Sequence, residues 1–167
     1  MSEKIRIGVV GLGLMGSSIV TCILAAGHEV TALTRNIERS DEARKRITNF
    51  LVQLQEEKML KDDPGKILKN LTITDDYSWF TNHEIVIESI IENVDEKKQV
   101  FQQLEGILSS TAVIGTNTSA IPVTILQNGL KHPERLLGIH WGEPAHILRF
   151  LEVICGRGIH LVTRRID

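Results

Sequence analysis

The sequence predicts an α/β fold with a doubly wound, mostly parallel sheet and flanking helices. Two observations lead to this prediction. Short apolar runs rich in β-branched residues alternate with segments of helical periodicity from one end of the chain to the other. The first of these runs leads through a glycine-rich turn directly into a helical pattern. Such alternation is typical of parallel strands joined by crossover helices.

The first strand and the first helix surround a G-x-G-x-x-G motif. Its glycines are Gly11, Gly13 and Gly16, which follow the apolar run at residues 5–10. In this position Gly11 allows a tight turn, Gly13 leaves room for a pyrophosphate, and Gly16 lets the helix pack close to the strand. The alternative is a turn whose glycines serve packing only. We predict a Rossmann-type fold in which a dinucleotide meets the N–H groups of the first helical turn. The predicted cofactor contacts in this loop are Gly11, Leu12, Gly13, Leu14, Met15 and Gly16.

The later elements continue the alternation. We predict strands over residues 29–34, 71–74, 85–90, 112–116, 136–141 and 151–155, and helices over residues 38–60, 94–108 and after Pro122. The helix at 38–60 is long for a simple crossover, so it is either an arm that reaches past the sheet or a long solvated helix. Residues 44–46 lie outside its apolar stripe, and Ser40 or Asn36 is the expected N-cap.

The end of the second strand bears on the choice of cofactor. In NAD-binding folds an acidic residue usually closes this strand and accepts hydrogen bonds from the adenosine ribose. This chain has Thr34 and Arg35 there. An arginine in this place can face a 2′-phosphate, which favours NADP. The alternative is that Arg35 stacks on the adenine or points to solvent.

The composition argues against several classes of function. With 167 residues, 42% of them hydrophobic and 24% charged, the chain suits one domain with a substantial core. A net charge of −2 gives no electrostatic case for nucleic acid or an anionic membrane as a partner. Two cysteines are too few for a disulfide framework, and no metal-ligand cluster is evident. No signal peptide or membrane-spanning run is present, so we expect a cytoplasmic protein.

Three polar residues near predicted strand ends form a candidate catalytic group. They are Ser119, His140 and Glu152. Glu152 lies inside an apolar run and needs a partner if it is buried, and His140 is suited to that role. Such a carboxylate fixes the imidazole tautomer and stabilises its protonated form. Taken singly, His140 also fits a core histidine, Ser119 fits a helix N-cap, and Glu152 fits a surface pair with Arg149 or Arg157.

Four sequence blocks resemble the N-terminal domain of the L-3-hydroxyacyl-coenzyme A dehydrogenases and of relatives such as the L-carnitine and L-gulonate dehydrogenases. The blocks are GLGLMG at 11–16, ESIIENVDEKK at 88–98, NTSA at 117–120 and GIHWGEPAHILRFLEVI at 138–154. Together they cover nearly the whole chain, and their order and spacing are far more specific than the glycine motif alone.

The resemblance implies an oxidoreductase that uses NAD, or NADP if Arg35 decides the choice, to oxidise the 3-hydroxyl of a 3-hydroxyacyl-CoA or a related 3-hydroxy acid. It implies that His140 is the general base, that Glu152 is its acidic partner and that Ser119 bonds the substrate oxygen near the nicotinamide. The long helix corresponds to an arm that contacts coenzyme A. The further cofactor contacts implied by the resemblance are Glu92, Lys97, Asn117, Ser119 and Glu143.

This chain also departs from the family pattern. Glu143 replaces an asparagine that contacts the cofactor, and residues 56–58 are less basic than usual, which leaves a plain carboxylic acid open as substrate. The family adds a helical second domain that completes the substrate cleft and carries a dimer interface. We expect residues 1–167 to be the dinucleotide-binding domain without that second domain. We expect it to bind cofactor with weak or no turnover, and its partners to include a small-molecule substrate and a second copy in a homodimer. The alternative is a non-catalytic nucleotide-binding or interaction module.

Overall fold

The protein is built on one seven-stranded sheet in a computed structural model that describes residues 5–148 and 150–157. The strand order is β3-β2-β1-β4-β5-β6-β7. All neighbouring pairs are parallel except β6 and β7, which are antiparallel. The predicted doubly wound, mostly parallel α/β fold is therefore confirmed. The strands are β1 (Arg6–Val10), β2 (Glu29–Leu33), β3 (Leu71–Thr74), β4 (Ile85–Glu88), β5 (Val113–Thr116), β6 (Leu136–Trp141) and β7 (Leu151–Ile154).

Helices cover both faces of the sheet. They are α1 (Leu14–Ala25), α2 (Ser40–Glu56), α3 (Pro64–Ile67), α4 (Val94–Ile107) and α5 (Val123–Gln127). Buried residues of α1 and α2 pack with Val9 and Ile87 in one cluster. Buried residues of α4 and α5 pack with Val10 and Val86 in a second cluster. Because successive side chains of a strand point to opposite faces, these clusters lie on the two sides of the sheet. Among the described residues no helix is both long and apolar enough to cross a bilayer.

The order of the strands places a crevice beside β1. The chain runs outward from β1 through β2 to β3, then returns to β4 on the other side of β1. At such a reversal the helices after the two central strands lie on opposite faces, so the carboxyl ends of β1 and β4 open into a crevice where ligands bind.

The helix α2 differs from its prediction. It has 17 residues and ends at Glu56, whereas a helix over 38–60 was expected. It ends there because Lys58 adopts a φ of 59° and the chain folds back to bury Leu60. The N–H groups of Met59 and Leu60 both donate to the carbonyl of Leu54. Asn36 caps the 3₁₀ turn at Ile37–Arg39 that precedes α2.

The packing of α2 also settles its role in the fold. Its side chains Ala43, Ile47, Leu51 and Leu54 are buried and pack against the α1 side of the core. A buried stripe that runs almost the whole length of the helix makes α2 a crossover helix. This packing differs from both predictions, because the buried stripe extends to Leu54 and α2 is neither a free arm nor solvated on all sides. The contact of this region with coenzyme A stays a prediction.

The last strand is present as predicted, and it is exposed. The apolar run at 151–155 predicted a strand without showing its exposure, and all four residues of β7 are exposed. Among the described residues the strand lies at the edge of the sheet, and its partner there is β6. Its position at the edge, which the sequence does not reveal, leaves Leu151, Val153 and Ile154 about half exposed.

Candidate active site

A cleft of about 1050 Å³ opens at the point where the strand order reverses. Its walls come from the glycine loop after β1, the end of β2, the segment after β4 and the adjoining faces of α2 and α4. Of the predicted cofactor contacts, the lining contains Gly11, Leu12, Gly13, Thr34 and Arg35. Its volume is of the size usual for ligand sites in proteins.

The glycine loop has the geometry that its motif predicts. Gly11 has a φ of +101°, and a Cβ on it would lie 2.5 Å from the carbonyl oxygen of Ser89. A Cβ on Gly16 would lie 1.8 Å from the carbonyl oxygen of Gly11. At Gly13, by contrast, no described atom lies within 4 Å of the place a Cβ would take. The loop therefore packs tightly on one side and leaves open space on the other.

The start of α1 is suited to hold an anion. Gly13 is its N-cap and supplies no side-chain hydrogen bond. The first intrahelical bond runs from the N–H of Ser17 to the carbonyl of Gly13 over 3.0 Å. The N–H groups of residues 14–16 precede that bond and have no carbonyl one turn earlier in the helix. With open space at Gly13, these donors fit the diphosphate of a dinucleotide.

At the far end of the cleft, Arg35 is held by a carboxylate. Its Nη2 donates to Glu96 Oε2 over 2.7 Å, and 72% of its side chain is exposed. Thr34 continues from β2 and donates its N–H to the carbonyl of Thr74. Arg39, one turn further on, pairs with Glu42 in the same way. Both arginines therefore already have anionic partners.

A buried ion pair lies beneath the loops after β4 and β5. Lys97 and Glu88 are 1% and 0% exposed, and Lys97 Nζ donates to Glu88 Oε1 over 2.6 Å. The hydroxyl of Thr116 donates to Glu88 Oε2 over 2.7 Å, and the N–H of Ile90 donates to Oε1 over 2.6 Å. A buried carboxylate needs such partners. They explain how Glu88 is buried at the end of an otherwise apolar strand.

Glu92 connects this ion pair to the surface. It accepts hydrogen bonds from Thr118 and from the N–H of Ala120, and Lys97 Nζ lies 3.3 Å from its Oε2. Burial raises the pKa of the Glu92 carboxyl. The hydrogen bond from Thr118 and the charge of Lys97 outweigh that effect and hold the pKa below its ordinary value. Lys97 is enclosed, and its charge reaches this region through Glu92, while its contact with the cofactor stays a prediction.

The structure brings His140 and Glu152 together. They face each other in the antiparallel register of β6 and β7, and His140 Nδ1 lies 2.9 Å from Glu152 Oε2. The side chains are 24% and 51% exposed. The expectation that Glu152 is buried is wrong because β7 is an edge strand, yet the pairing itself is present. Of the two arginines considered as surface partners for Glu152, Arg149 lies outside the described residues.

Ser119 lies in the loop after β5 and is exposed. It is not an N-cap, because α5 begins after Pro122 and Thr118 accepts the N–H of Ile121 instead. Asn117 ties this loop to the next strand, because its Oδ1 accepts the N–H of Trp141 over 2.9 Å. The loop of Ser119 is thus anchored to the residue that follows His140.

The remaining predicted residues lie apart from the cleft lining. Glu143 is exposed in the loop after β6. Glu92, Ser119 and His140 stand at or just after the carboxyl ends of β4, β5 and β6, which parallel pairing brings to the same edge of the sheet as the glycine loop. Among the residues with described positions, no three His, Cys, Asp or Glu side chains form a metal-binding group.

Arg46 is a residue of the cleft that the sequence analysis missed. It was placed outside the apolar stripe of α2, but it is half-buried and lines the cleft. Its Nη1 donates to the carbonyl of Leu12 over 3.1 Å and to Ser17 Oγ over 3.2 Å. The signal was its spacing, three residues after Ala43 and four before Phe50, which puts it on the inward face.

His146 is a second residue that the sequence did not single out. It is buried, its Nδ1 lies 2.7 Å from Ser18 Oγ, and its Nε2 lies 3.0 Å from Gln53 Oε1. Its ring stacks on Phe50 with a centroid separation of 4.0 Å. Burial lowers the pKa of His146. This side chain joins the loop after β6 to both α1 and α2.

Comparison with known proteins identifies the class of domain. Residues 6–160 match the family described as 3-hydroxyacyl-CoA dehydrogenase, NAD binding domain. A probable 3-hydroxybutyryl-CoA dehydrogenase of Deinococcus radiodurans is 31% identical over 161 residues, which are 96% of this chain and 58% of that protein. The 5-formyl-3-hydroxy-2-methylpyridine 4-carboxylate 5-dehydrogenase of Mesorhizobium japonicum is 29% identical over 90% of this chain and 48% of its own length.

Comparison with solved structures leads to the same family. The crystal structure of 3-hydroxybutyryl-CoA dehydrogenase from Escherichia coli superposes with a TM-score of 0.88 and 28% identity, covering 95% of this chain and 34% of that one. The chain thus spans about half the length of the two curated relatives and about a third of this structure.

Proposed function

The chain belongs to the 3-hydroxyacyl-CoA dehydrogenase family through its NAD-binding domain, and on that basis we propose that it oxidises the 3-hydroxyl of a 3-hydroxyacyl-CoA or a related 3-hydroxy acid. NAD is the cofactor of this domain and, when bound, supplies the hydride acceptor. The observation that carries the proposal is the His140–Glu152 pair at the cofactor edge of the sheet.

In this proposal His140 is the general base. The carboxylate of Glu152 accepts the Nδ1–H of the imidazole, which leaves Nε2 with its lone pair available for a substrate proton. Nε2 takes the proton of the 3-hydroxyl as the carbonyl forms. Glu152 then stabilises the imidazolium that results. The exposure of both side chains leaves them accessible to a substrate.

Ser119 orients the substrate oxygen in the same proposal. Its exposed hydroxyl can donate a hydrogen bond to the oxygen that His140 deprotonates. The bond from Trp141 N–H to Asn117 holds the loop of Ser119 against the strand of His140. Holding a donor and a base on neighbouring strands limits the orientations that a bound hydroxyl can take.

The cofactor would be held along the same edge. The glycine loop and the start of α1 would take the diphosphate. Thr34 and Arg35, which line the cleft, would lie beside the adenosine ribose. Glu92, Asn117 and Glu143 are proposed contacts nearer the nicotinamide. Lys97 would serve this site by holding Glu92 in place.

The substrate proposal starts from the relatives. Two of them are named for 3-hydroxybutyryl-CoA, and a third is named for a pyridine carboxylate. We propose the thioester as the first substrate to test. A free 3-hydroxy acid is the second, because residues 56 and 57 are glutamates at the end of α2 where the resemblance implied a more basic surface.

The test compares turnover of two histidine variants. The chain is assayed with 3-hydroxybutyryl-CoA and with free 3-hydroxybutyrate, using NAD and NADP in parallel. His140→Gln should lower kcat by about 100-fold or more, as expected for loss of a general base. His132→Gln is the matched control, since His132 also pairs with a glutamate, Glu134, but at an exposed turn away from the cleft. Equal turnover of the wild type and His140→Gln would refute the assignment.

The exposure of Glu152 supports a further proposal, that this domain by itself binds cofactor and turns over slowly. Glu152 is 51% exposed, so bulk water weakens its electrostatic interaction with the imidazole.

The alternative is a non-catalytic nucleotide-binding or interaction module, favoured by the exposed apolar residues Leu151, Val153 and Ile154. Gel filtration and thermal shift with NAD and NADP separate the two. A dimer without a nucleotide response favours the module, and stabilisation with any hydride transfer favours the enzyme.

A further inference from the structure

Three arginines line the cleft, and they differ in what they bind. Arg35 donates to Glu96, and Arg39 donates to Glu42. The charge of each is therefore matched by a carboxylate within hydrogen-bond distance. Arg46 instead donates to two neutral oxygens, the carbonyl of Leu12 and the hydroxyl of Ser17.

The two oxygens bound by Arg46 place its charge at the glycine loop. Leu12 is the residue between the first two glycines of the motif, and Ser17 lies in the first turn of α1 and is fully buried. The hydroxyl of Ser17 also donates to the carbonyl of Leu12 over 3.4 Å. One guanidinium nitrogen thus contacts both the loop and the helix that follows it.

The surroundings leave this charge available to an anion. Among the described residues no carboxylate lies within ion-pair distance of Arg46. The charge of Arg46 contributes to lowering the pKa of Glu42, but the Glu42 carboxylate is hydrogen-bonded to Arg39. The guanidinium has five N–H donors, and Nη1 accounts for the bonds to protein. The side chain is half-buried, so water screens it less than it screens an exposed arginine.

We propose that Arg46 is a diphosphate-binding residue of the NAD site. The N–H groups at the start of α1 and the guanidinium of Arg46 would hold the dinucleotide phosphates from two sides. Arg46 also positions the loop through Leu12, so one side chain both shapes the cradle and adds the positive charge that α1 lacks in its first turn. This inference concerns cofactor binding and does not depend on which substrate is oxidised.

The test measures binding affinities of three probes. NAD and ADP-ribose contain the diphosphate, and adenosine does not. Arg46→Gln removes the charge and keeps a polar side chain at this position. At low salt this variant should bind NAD and ADP-ribose about tenfold more weakly, because it loses a charge-assisted contact. Adenosine affinity, followed by ligand-observed NMR, should change less than about twofold since adenosine has no phosphate.

Matched controls separate the loss of a direct contact with the diphosphate from the loss of long-range electrostatic attraction. Arg44→Gln and Lys45→Gln remove exposed charges from the same helix and should change NAD affinity less than about twofold at 0.15 M salt. Arg46→Lys should recover part of the loss. The salt dependence of NAD binding should be shallower for Arg46→Gln than for the wild type.

Two results would overturn the proposal. One is NAD affinity of Arg46→Gln within twofold of the wild type at low salt. The other is an equal loss for adenosine and ADP-ribose, which would show that Arg46 only shapes the loop. Neither result bears on His140, because no step of the test measures turnover.

Discussion

The glycine loop after β1 and the loops after β4, β5 and β6 lie at one edge of the sheet, but different forces hold them. The main chain and close packing shape the glycine loop, where Gly11 and Gly16 leave no room for a Cβ. Polar side chains hold the other loops, through the Lys97–Glu88 ion pair and the bond from Trp141 N–H to Asn117. The first region is enclosed by α1 and α2, whereas the second ends in an exposed edge strand.

This difference agrees with the function proposed for each region. A diphosphate is bound by backbone N–H groups, so its site needs a fixed main chain and an absence of side chains. Proton transfer and substrate orientation need specific functional groups, so the other region needs side chains held in place. Mutations should therefore act by steric clash in the first region and by loss of polar partners in the second.

The largest effect is expected from breaking the buried ion pair. Lys97→Met leaves the Glu88 carboxylate buried without its countercharge and should lower the free energy of unfolding by about 3–5 kcal/mol. Denaturant unfolding followed by circular dichroism measures this loss. Lys98→Met, at the next and partly exposed position, should change stability by less than about 0.5 kcal/mol.

The double variant Glu88→Gln with Lys97→Met tests whether the unpaired charge of Glu88 is what destabilises Lys97→Met. It removes both charges and should be more stable than Lys97→Met alone. If Lys97→Met were as stable as the wild type, the polar network would not be what holds the loops after β4 and β5.

A smaller effect is expected from a steric change in the glycine loop. Gly16→Ala places a Cβ 1.8 Å from the carbonyl oxygen of Gly11, so α1 must move away from the loop. We expect a loss of about 1–3 kcal/mol in the free energy of unfolding, as for other overpacked sites, together with weaker NAD binding. Unfolding curves and calorimetric titration measure both quantities.

The matched control is a glycine in open space. Gly106 lies in α4 and is exposed, and no described atom lies within 4 Å of the place its Cβ would take. Gly106→Ala should stabilise the protein by about 0.5–1 kcal/mol. If both alanine variants had the same stability, close packing would not be what limits the glycine loop.

The smallest effect is expected at His146, which links the two regions. Burial lowers its pKa in the folded protein, so the unfolded chain binds the proton more tightly. Its contribution to stability is therefore complete above the unfolded pKa of about 6.5 and is lost as pH falls through the folded value. Lowering the pH from 7.5 to 5.5 should therefore lower the urea midpoint of unfolding. This decrease should be smaller than the one that Gly16→Ala causes at constant pH.

His146→Gln isolates this contribution. Burial also lowers the pKa of His83, so some pH dependence remains in the variant. Carboxyl groups with lowered pKa, such as those of Glu92 and Asp76, lose their contribution only below this pH range. The urea midpoint should therefore depend less on pH in His146→Gln than in the wild type. An equal pH dependence in the two proteins would show that His146 does not contribute to it.

Local patterns were the most predictable features. The glycine loop was predicted well because Gly11, Gly13 and Gly16 act through the backbone of one short segment. The His140–Glu152 pair was predicted through the need of a buried carboxylate for a partner. Its real basis is the register of β6 and β7, and Glu152 is half exposed. The pairing was right although the burial that suggested it was not.

Features that depend on neighbours distant in the chain were missed. The burial of Lys97 depends on Glu88 lying beneath it, and the inward direction of Arg46 depends on α2 packing over the glycine loop. The early end of α2 depends on Leu60 reaching the core. Each of these depends on contacts between segments far apart in the chain, which local propensity does not report.

The sequence by itself determined the alternation of strands and helices, the glycine-rich turn after the first strand and the identity of the polar groups at the strand ends. These follow from hydrophobic period and from glycine's missing side chain, which act over a few residues. Only the tertiary structure decided that Lys97 is enclosed, that Arg46 faces the cleft and that β7 is an exposed edge. Burial and charge pairing are set by which surfaces meet, and those surfaces come from segments far apart in the chain.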